Sequence, residues 1–229
     1  MKTSVKNAIK ATVIAAALAC SSLAHAAGTY NQNPVDGGVI FDGNAKFFHD
    51  QPQFMVEATQ YEMTSDSDFS KKFFAYCIAP GVETLHDAVY TMGGAVQVSD
   101  AVKILYETAY QNTLGVNKGA EQLAFQLALW ELHNDNNDLY SGQMAFSASS
   151  AEQLAAAQAL LDNVRTGSVQ NLYRYVAFDG KLGDQVSQQM MGVLPVPEVE
   201  TWAMLLVGLG MVGLMGRRRN TNIDDEKFS

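Results

Sequence analysis

The chain has 229 residues, and its charge is unevenly placed: residues 27–196 hold 8 Lys or Arg against 19 Asp or Glu, near −11, while the whole chain is −9. This acidity excludes a nucleic-acid binder that reads phosphates through a basic patch. A hydrophobic content of 48% excludes a mainly disordered chain, and 18 Gly and 5 Pro without a period exclude a collagen-like or low-complexity one.

Lys2, Lys6 and Lys10 precede an apolar run from Ala11 to Ala19, and Ala24-His25-Ala26 follows it. A basic flank, a short apolar stretch and small residues at Ala24 and Ala26 predict a secretory signal peptide, residues 1–26, cut after Ala26. The run is too short to span a bilayer. The rival is a lipoprotein signal acylated at Cys20, with Ala17 where such signals usually carry Leu.

Short strands and turns are expected next. Val39-Ile40-Phe41 reads as a strand, Asp42-Gly43-Asn44 as a turn, and Phe54 to Thr59 as a weakly alternating strand. Phe73 to Ile78 is an aromatic-rich run ended by Pro80-Gly81, and reads as a core strand with Cys77 near its end. The pattern then turns helical. Ser99 is placed to cap a helix reaching about Tyr110, and Asn117 to cap a second from Lys118 to about His133. Ser150-x-x-Gln153 has the capping-box form for a third, ending near Gly167. Leu172 to Phe178 alternates as a strand, and the Gln- and Met-rich residues 184–195 read as a linker. The expected class is α+β, a β-rich sandwich or barrel-like part with a helical insert over 27–183.

After the linker comes a second processing segment. Val196-Pro197-Glu198 precedes an apolar stretch from Trp202 to Gly216, then Arg217-Arg218-Arg219 and a ten-residue tail, 220–229. The arrangement resembles the PEP-CTERM sorting signal, with Val199 where the second Pro is usual. The resemblance implies an exosortase-like sorting protease as partner, a diderm bacterium, and an exopolysaccharide or surface-assembly setting. The segment 202–216 is marginal for a stable span, and the arginines hold its end and the tail on the cytoplasmic side, as a transient anchor requires.

If Cys20 leaves with the signal peptide, Cys77 is the one cysteine of the exported chain. A disulfide within the chain is then excluded. An inert buried Cys, an intermolecular disulfide and a thiol committed to chemistry remain.

The second helix is apolar over most of its circumference, which predicts burial. It contains Phe125-Gln126-Leu127-Ala128-Leu129-Trp130, and upstream stands Tyr76-Cys77-Ile78. Together these resemble the thioester domains of bacterial surface adhesins, in which a Cys in a YC(I/V)D-like motif joins the Gln of a TQxA(I/V)W-like motif. Phe125 stands in place of the Thr and Ala79 in place of the Asp. The resemblance implies that Cys77 is the thiol and Gln126 the acyl donor, with Tyr76, Ala128, Trp130 and His133 in support. It implies no cofactor and no turnover. A single coupling to an amine on a surface or matrix component would be the whole reaction.

Two other classes stay open. One is a non-covalent structural component of an exopolysaccharide matrix, with Gln126 solvated on the stripe Gln122–Gln126–His133. The other is an exported cysteine hydrolase using His86 or His133 as base. Residues 134–138, rich in Asn and Asp, offer oxygen ligands for calcium but lack the Gly and Glu of a calcium loop, so a polar turn ending the helix is expected there, and no metal.

Overall fold

The computed structural model describes residues 29–34, 39–40, 43–47, 57–58, 60–68, 72–148, 151–196, and 205, 207–209 and 211–212. The signal peptide with Ala24 and Ala26, and Pro197, Glu198 and Arg217 to Arg219, lie outside the described residues. The chain divides into two units, Met1–Leu194 and Pro195–Ser229.

The first unit is α+β. Its strands are β1 (Thr29–Pro34), β2 (Val39–Ile40), β3 (Gly43–Phe47), β4 (Glu57–Ala58), β5 (Tyr61–Ser65), β6 (Lys72–Cys77), β7 (Val89–Ala95), β8 (Met144–Ala148), β9 (Tyr173–Leu182) and β10 (Gln185–Pro195). The helices are α1 (Asp100–Ala109), α2 (Gly119–Asn134) and α3 (Ala151–Thr166), with a 3-10 turn over Tyr110–Thr113. Six strands close an antiparallel barrel in the order β1-β5-β6-β10-β9-β7, while β2–β4 and β3–β8 form separate two-stranded ribbons. The barrel, not a sandwich, is the β-rich part. All three helices enter between β7 and β9, which are neighbours in the barrel, so the helical insert is real.

Directly opposed residues share a face. Tyr61–Ala75, Met63–Phe73, Tyr30–Tyr90, Met92–Phe178 and Cys77–Met190 therefore all face one way, and their side chains are buried or nearly so. The rings of Tyr30, Phe73 and Phe178 meet at 5.3–5.8 Å, which identifies this face as the filled barrel interior. Glycine makes room here: a Cβ on Gly180 would stand 2.6 Å from the Tyr90 ring. The opposite face of β6 and β10 lies under the helices. Tyr76 packs on Phe125 at 4.6 Å, Tyr106 Oη donates to the Met191 carbonyl at 3.2 Å, and Tyr110 Oη donates to that of Phe74 at 3.0 Å.

Three expectations are corrected. Residues 184–195 are not a linker: Gln185–Pro195 is β10, hairpin partner of β9 and neighbour of β6, with Ser187, Met190, Met191 and Val193 buried. Its glutamines gave it a polar reading that two buried methionines override. Gly43-Asn44 is not a turn but the start of β3, because Gly43 pairs with Ala148 far along the chain, and tertiary pairing outweighs local turn preference. Asn117 does not cap α2. It sits at φ 62°, the left-handed region that Asn tolerates, and Lys118 takes the N-cap position without a side-chain bond. Helix α3 ends at Thr166, next to Gly167 as expected, and a Cβ on Gly167 would stand 2.4 Å from Ile104 Cγ2.

In the second unit the described residues 205, 207–209 and 211–212 are helical, and Leu205, Val207, Leu209, Met211 and Val212 are exposed. No helix among the described residues is long and apolar enough to cross a membrane.

Candidate functional site

Strand β6 outruns its neighbour β5. The first residue of β5, Tyr61, lies opposite Ala75, so among the described residues no strand offers Cys77 a ladder partner on that side. Ile78, the next residue, donates its N–H to Gln189 on the β10 side at 3.0 Å. Because backbone groups alternate along a strand, the N–H and C=O of Cys77 face the vacant side. Left alone they would be buried without partners, at a cost of about 1–3 kcal/mol each.

Gln126 fills that position. The Cys77 N–H donates to Gln126 Oε1 at 3.1 Å, and Gln126 Nε2 donates to the Cys77 carbonyl at 2.8 Å. A primary amide matches a peptide group donor for acceptor, so the carboxamide stands in for the missing strand. Gln126 is 1% and Cys77 3% exposed. Gln126 is therefore not solvated, and its carboxamide carbon lies one bond from each atom that touches the Cys77 backbone.

Helix α2 delivers Gln126 here because nearly all of it is buried: only Ala120 and Glu121 of its first fourteen residues escape the core. Gln122 steadies its start, donating to the carbonyls of Thr113 at 3.1 Å and Gly115 at 3.3 Å. Asn134 ties its end to the β6 exit by donating to the Ile78 carbonyl at 3.2 Å. Beneath the helix, Gln60 Nε2 donates to Tyr76 Oη and to Thr113 Oγ1, both at 3.3 Å.

Burial pushes the Cys77 thiol up to about 12, while the Trp130 side chain and the Ala79 backbone, close to the sulfur, act the other way and favour the thiolate. At neutral pH it is a protonated thiol.

The other expected residues separate into two groups. Tyr76 and Trp130 lie against the pair, Tyr76 as the preceding strand residue and Trp130 on the sulfur. Ala128 is buried about 200° round the helix from Gln126, so it serves the packing of α2 and does not adjoin the pair. His133 lies on the exposed last turn and makes no hydrogen bond to Cys77 or Gln126. His86 is 95% exposed and pairs with Asp87 at 2.9 Å. No histidine or carboxylate among the described residues hydrogen-bonds the thiol.

In residues 134–138 the side-chain oxygens already serve the loop's own backbone. Asp135 Oδ2 accepts from the Met144 N–H at 2.6 Å, and Asp138 Oδ1 from that of Tyr140 at 3.1 Å. Among the described residues no group of three or more His, Cys, Asp or Glu is placed to hold a metal ion.

Sequence reasoning did not find the Ala79 backbone, Asn134 or Gln60. The first is a backbone group, which no residue type advertises, and the others are ordinary polar residues whose partners lie far away in the chain.

No family model and no curated protein matches the chain. Solved structures that resemble it include the N-terminal domain of the Streptococcus pyogenes pilus tip adhesin Cpa, at 16% identity and TM-score 0.43, covering 73% of this chain and 99% of that one. The N-terminal thioester domain of a Clostridium perfringens surface protein resembles it at 14% identity and TM-score 0.42, covering 69% and 100%. A cysteine-to-alanine mutant of that domain gives 12%, 0.44, 68% and 100%. At these identities and TM-scores the likeness is too remote to decide fold or function.

Proposed function

We propose that this is an exported surface or matrix protein whose barrel domain forms an internal thioester between Cys77 and Gln126 and couples once, covalently, to a partner amine. The observation that carries the reading is the two-point pairing of the Gln126 carboxamide with the Cys77 backbone. It fixes the Gln126 carboxamide against the backbone of the residue that carries the thiol, in a dry site, and such fixing lowers the entropic cost of a reaction between them.

The groups present suit the steps. The sulfur attacks the Gln126 carbonyl carbon and the C–N bond breaks; the thiol proton leaves on nitrogen, so one ammonia departs. The Cys77 N–H already donates to Gln126 Oε1, where negative charge develops. Trp130 and the Ala79 backbone, close to the sulfur, favour it as thiolate, both in attack and when it is expelled. Burial excludes water, which would otherwise hydrolyse the thioester. An incoming amine then takes the acyl group, giving an amide on Gln126 and a free Cys77 thiol.

Val196 of the sorting motif follows β10 with no spacer. On this reading an exosortase-like protease cuts there, and the exposed aliphatic helix around 205–212 belongs to a transient membrane anchor. The amine belongs to a surface or matrix component, and exopolysaccharide is the expected setting.

A second reading is favoured by the same pairing: Gln126 completes a ladder and Cys77 is an inert buried thiol in a non-covalent matrix component. Intact mass of the purified exported domain separates them. The thioester predicts a mass lower by one ammonia, converted to an adduct by methylamine and absent in Cys77→Ala. Full mass with one thiol that titrates on unfolding sinks the covalent reading and leaves the second.

A further inference from the structure

Cys77 and Gln126 are sealed from solvent, yet the proposed coupling needs a nucleophile to reach them. We infer that the β6–β7 connection, residues 78–88, is a lid over the site, latched to β10 by Thr84 and Gln188; the inference rests on the reading above for its purpose but not for its geometry.

The segment has no regular secondary structure, and it carries Gly81 at φ 96° and Asp87 at φ 64°, two left-handed residues that bracket its middle. It bears directly on the site, because it starts at Ile78, which follows Cys77 and whose carbonyl accepts from Asn134 of the helix that carries Gln126. Its remaining hydrogen bonds to the barrel converge on three consecutive residues of β10. Ile78 N–H donates to the Gln189 carbonyl at 3.0 Å and Gln188 N–H to that of Glu83 at 3.1 Å. Leu85 N–H donates to Ser187 Oγ at 3.0 Å, and that hydroxyl in turn meets Tyr90 Oη at 3.0 Å. The Gln188 side chain grips the segment twice, accepting from Thr84 Oγ1 and donating from Nε2 to the Ala79 carbonyl at 3.4 Å.

Asn134 anchors the first residue, Ile78, to helix α2, and beyond that point the segment is held along one seam and opens as a unit. Here the seam includes side-chain bonds of part-buried residues, each of which contributes modestly. Ile78, Pro80 and Ala88 are buried and Leu85 packs on the core, whereas Val82, Glu83, His86 and Asp87 are exposed, so opening moves chiefly residues 81–87. Helix α2, by contrast, is deep in the core and cannot swing aside. Opening the lid uncovers the pair.

The test is the rate at which full-length wild type, Gln188→Ala, Thr84→Val and the control Val186→Ala become modified, with folding checked by urea titration. If wild type lacks one ammonia, the rate is that of methylamine uptake. If it has full mass, the covalent reading has failed separately, and the rate is that of Cys77 alkylation by iodoacetamide, which reads the same opening. Gln188→Ala is expected to react about tenfold faster and Thr84→Val about three- to fivefold faster, with Val186→Ala unchanged. Should Gln188→Ala destabilise the whole domain, Thr84→Val alone decides. Rates equal to wild type in the latch variants, or an equal rise in Val186→Ala, overturn the lid.

Discussion

Of the three polar side chains that helix α2 buries, two that stand five residues apart are treated in opposite ways. At Gln126 both ends of the carboxamide meet a complementary peptide group. At Glu131, also fully buried, Oε2 accepts the Asp138 N–H at 3.2 Å and Oε1 has no partner. Burial, reinforced by the neighbouring charges of Asp135 and Asp138, pushes that carboxyl up to about 8. An amide both donates and accepts, so it can replace a strand. A carboxylate only accepts, and here it is set among other carboxylates. The first end of the comparison is therefore a fixed geometry suited to chemistry, the second a cost that depends on pH.

The contrast is broken most severely at Gln126. Gln126→Ala leaves the Cys77 N–H and C=O buried without partners and opens a cavity, for an expected loss of about 3–5 kcal/mol. Cys77→Ala removes the sulfur but keeps both backbone bonds, and should cost about 1–2 kcal/mol. Urea midpoints of the two variants measure this. Equal costs would mean that the carboxamide does not hold the end of β6.

At Glu131 the effect has a sign that can be followed. The carboxyl titrates near 8 in the folded protein against 4.5 when unperturbed. The native state thus keeps a proton that the unfolded chain releases. The stability this confers is complete below 4.5 and falls as pH rises through 8. Glu131→Gln should flatten this decline and exceed wild type by about 2 kcal/mol at pH 9. Urea titrations at pH 5, 7 and 9 test it, and parallel curves for the two proteins would mean that Glu131 is not the titrating group.

How far these features are legible in sequence depends on whether their causes are local. Strand β6 and helices α1 and α2 carry their reason in short-range pattern, and all three are found close to where periodicity puts them. The residues Cys77 and Gln126 are legible through a motif resemblance, but the vacancy that brings them together is not. It arises because β5 starts opposite Ala75, and neither strand's own pattern says where the ladder between them ends. Strand β10 is misread for a related reason. Its glutamines face outward or grip the 78–88 segment while Met190 and Met191 fill the core, and composition cannot separate those faces. Glu131 reads as an ordinary helix carboxylate, since nothing local says that the following loop folds back over it.

The smallest effects lie at the helix starts, where α1 and α2 differ in the same way as the two ends of α2. Ser99 Oγ accepts the Val102 N–H at 3.3 Å, so α1 begins on a side-chain cap. The start of α2 lacks one, and Asn117 before it sits at φ 62°. Ser99→Ala should therefore cost about 1 kcal/mol. Asn117→Gly removes no cap and relieves a left-handed backbone, while adding freedom to the unfolded chain. Those terms oppose each other, so its cost should stay within about 0.5 kcal/mol. If Asn117→Gly instead loses as much as Ser99→Ala in a urea titration, Asn117 contributes a bond at the start of α2 after all, and the position of Gln126 depends on it.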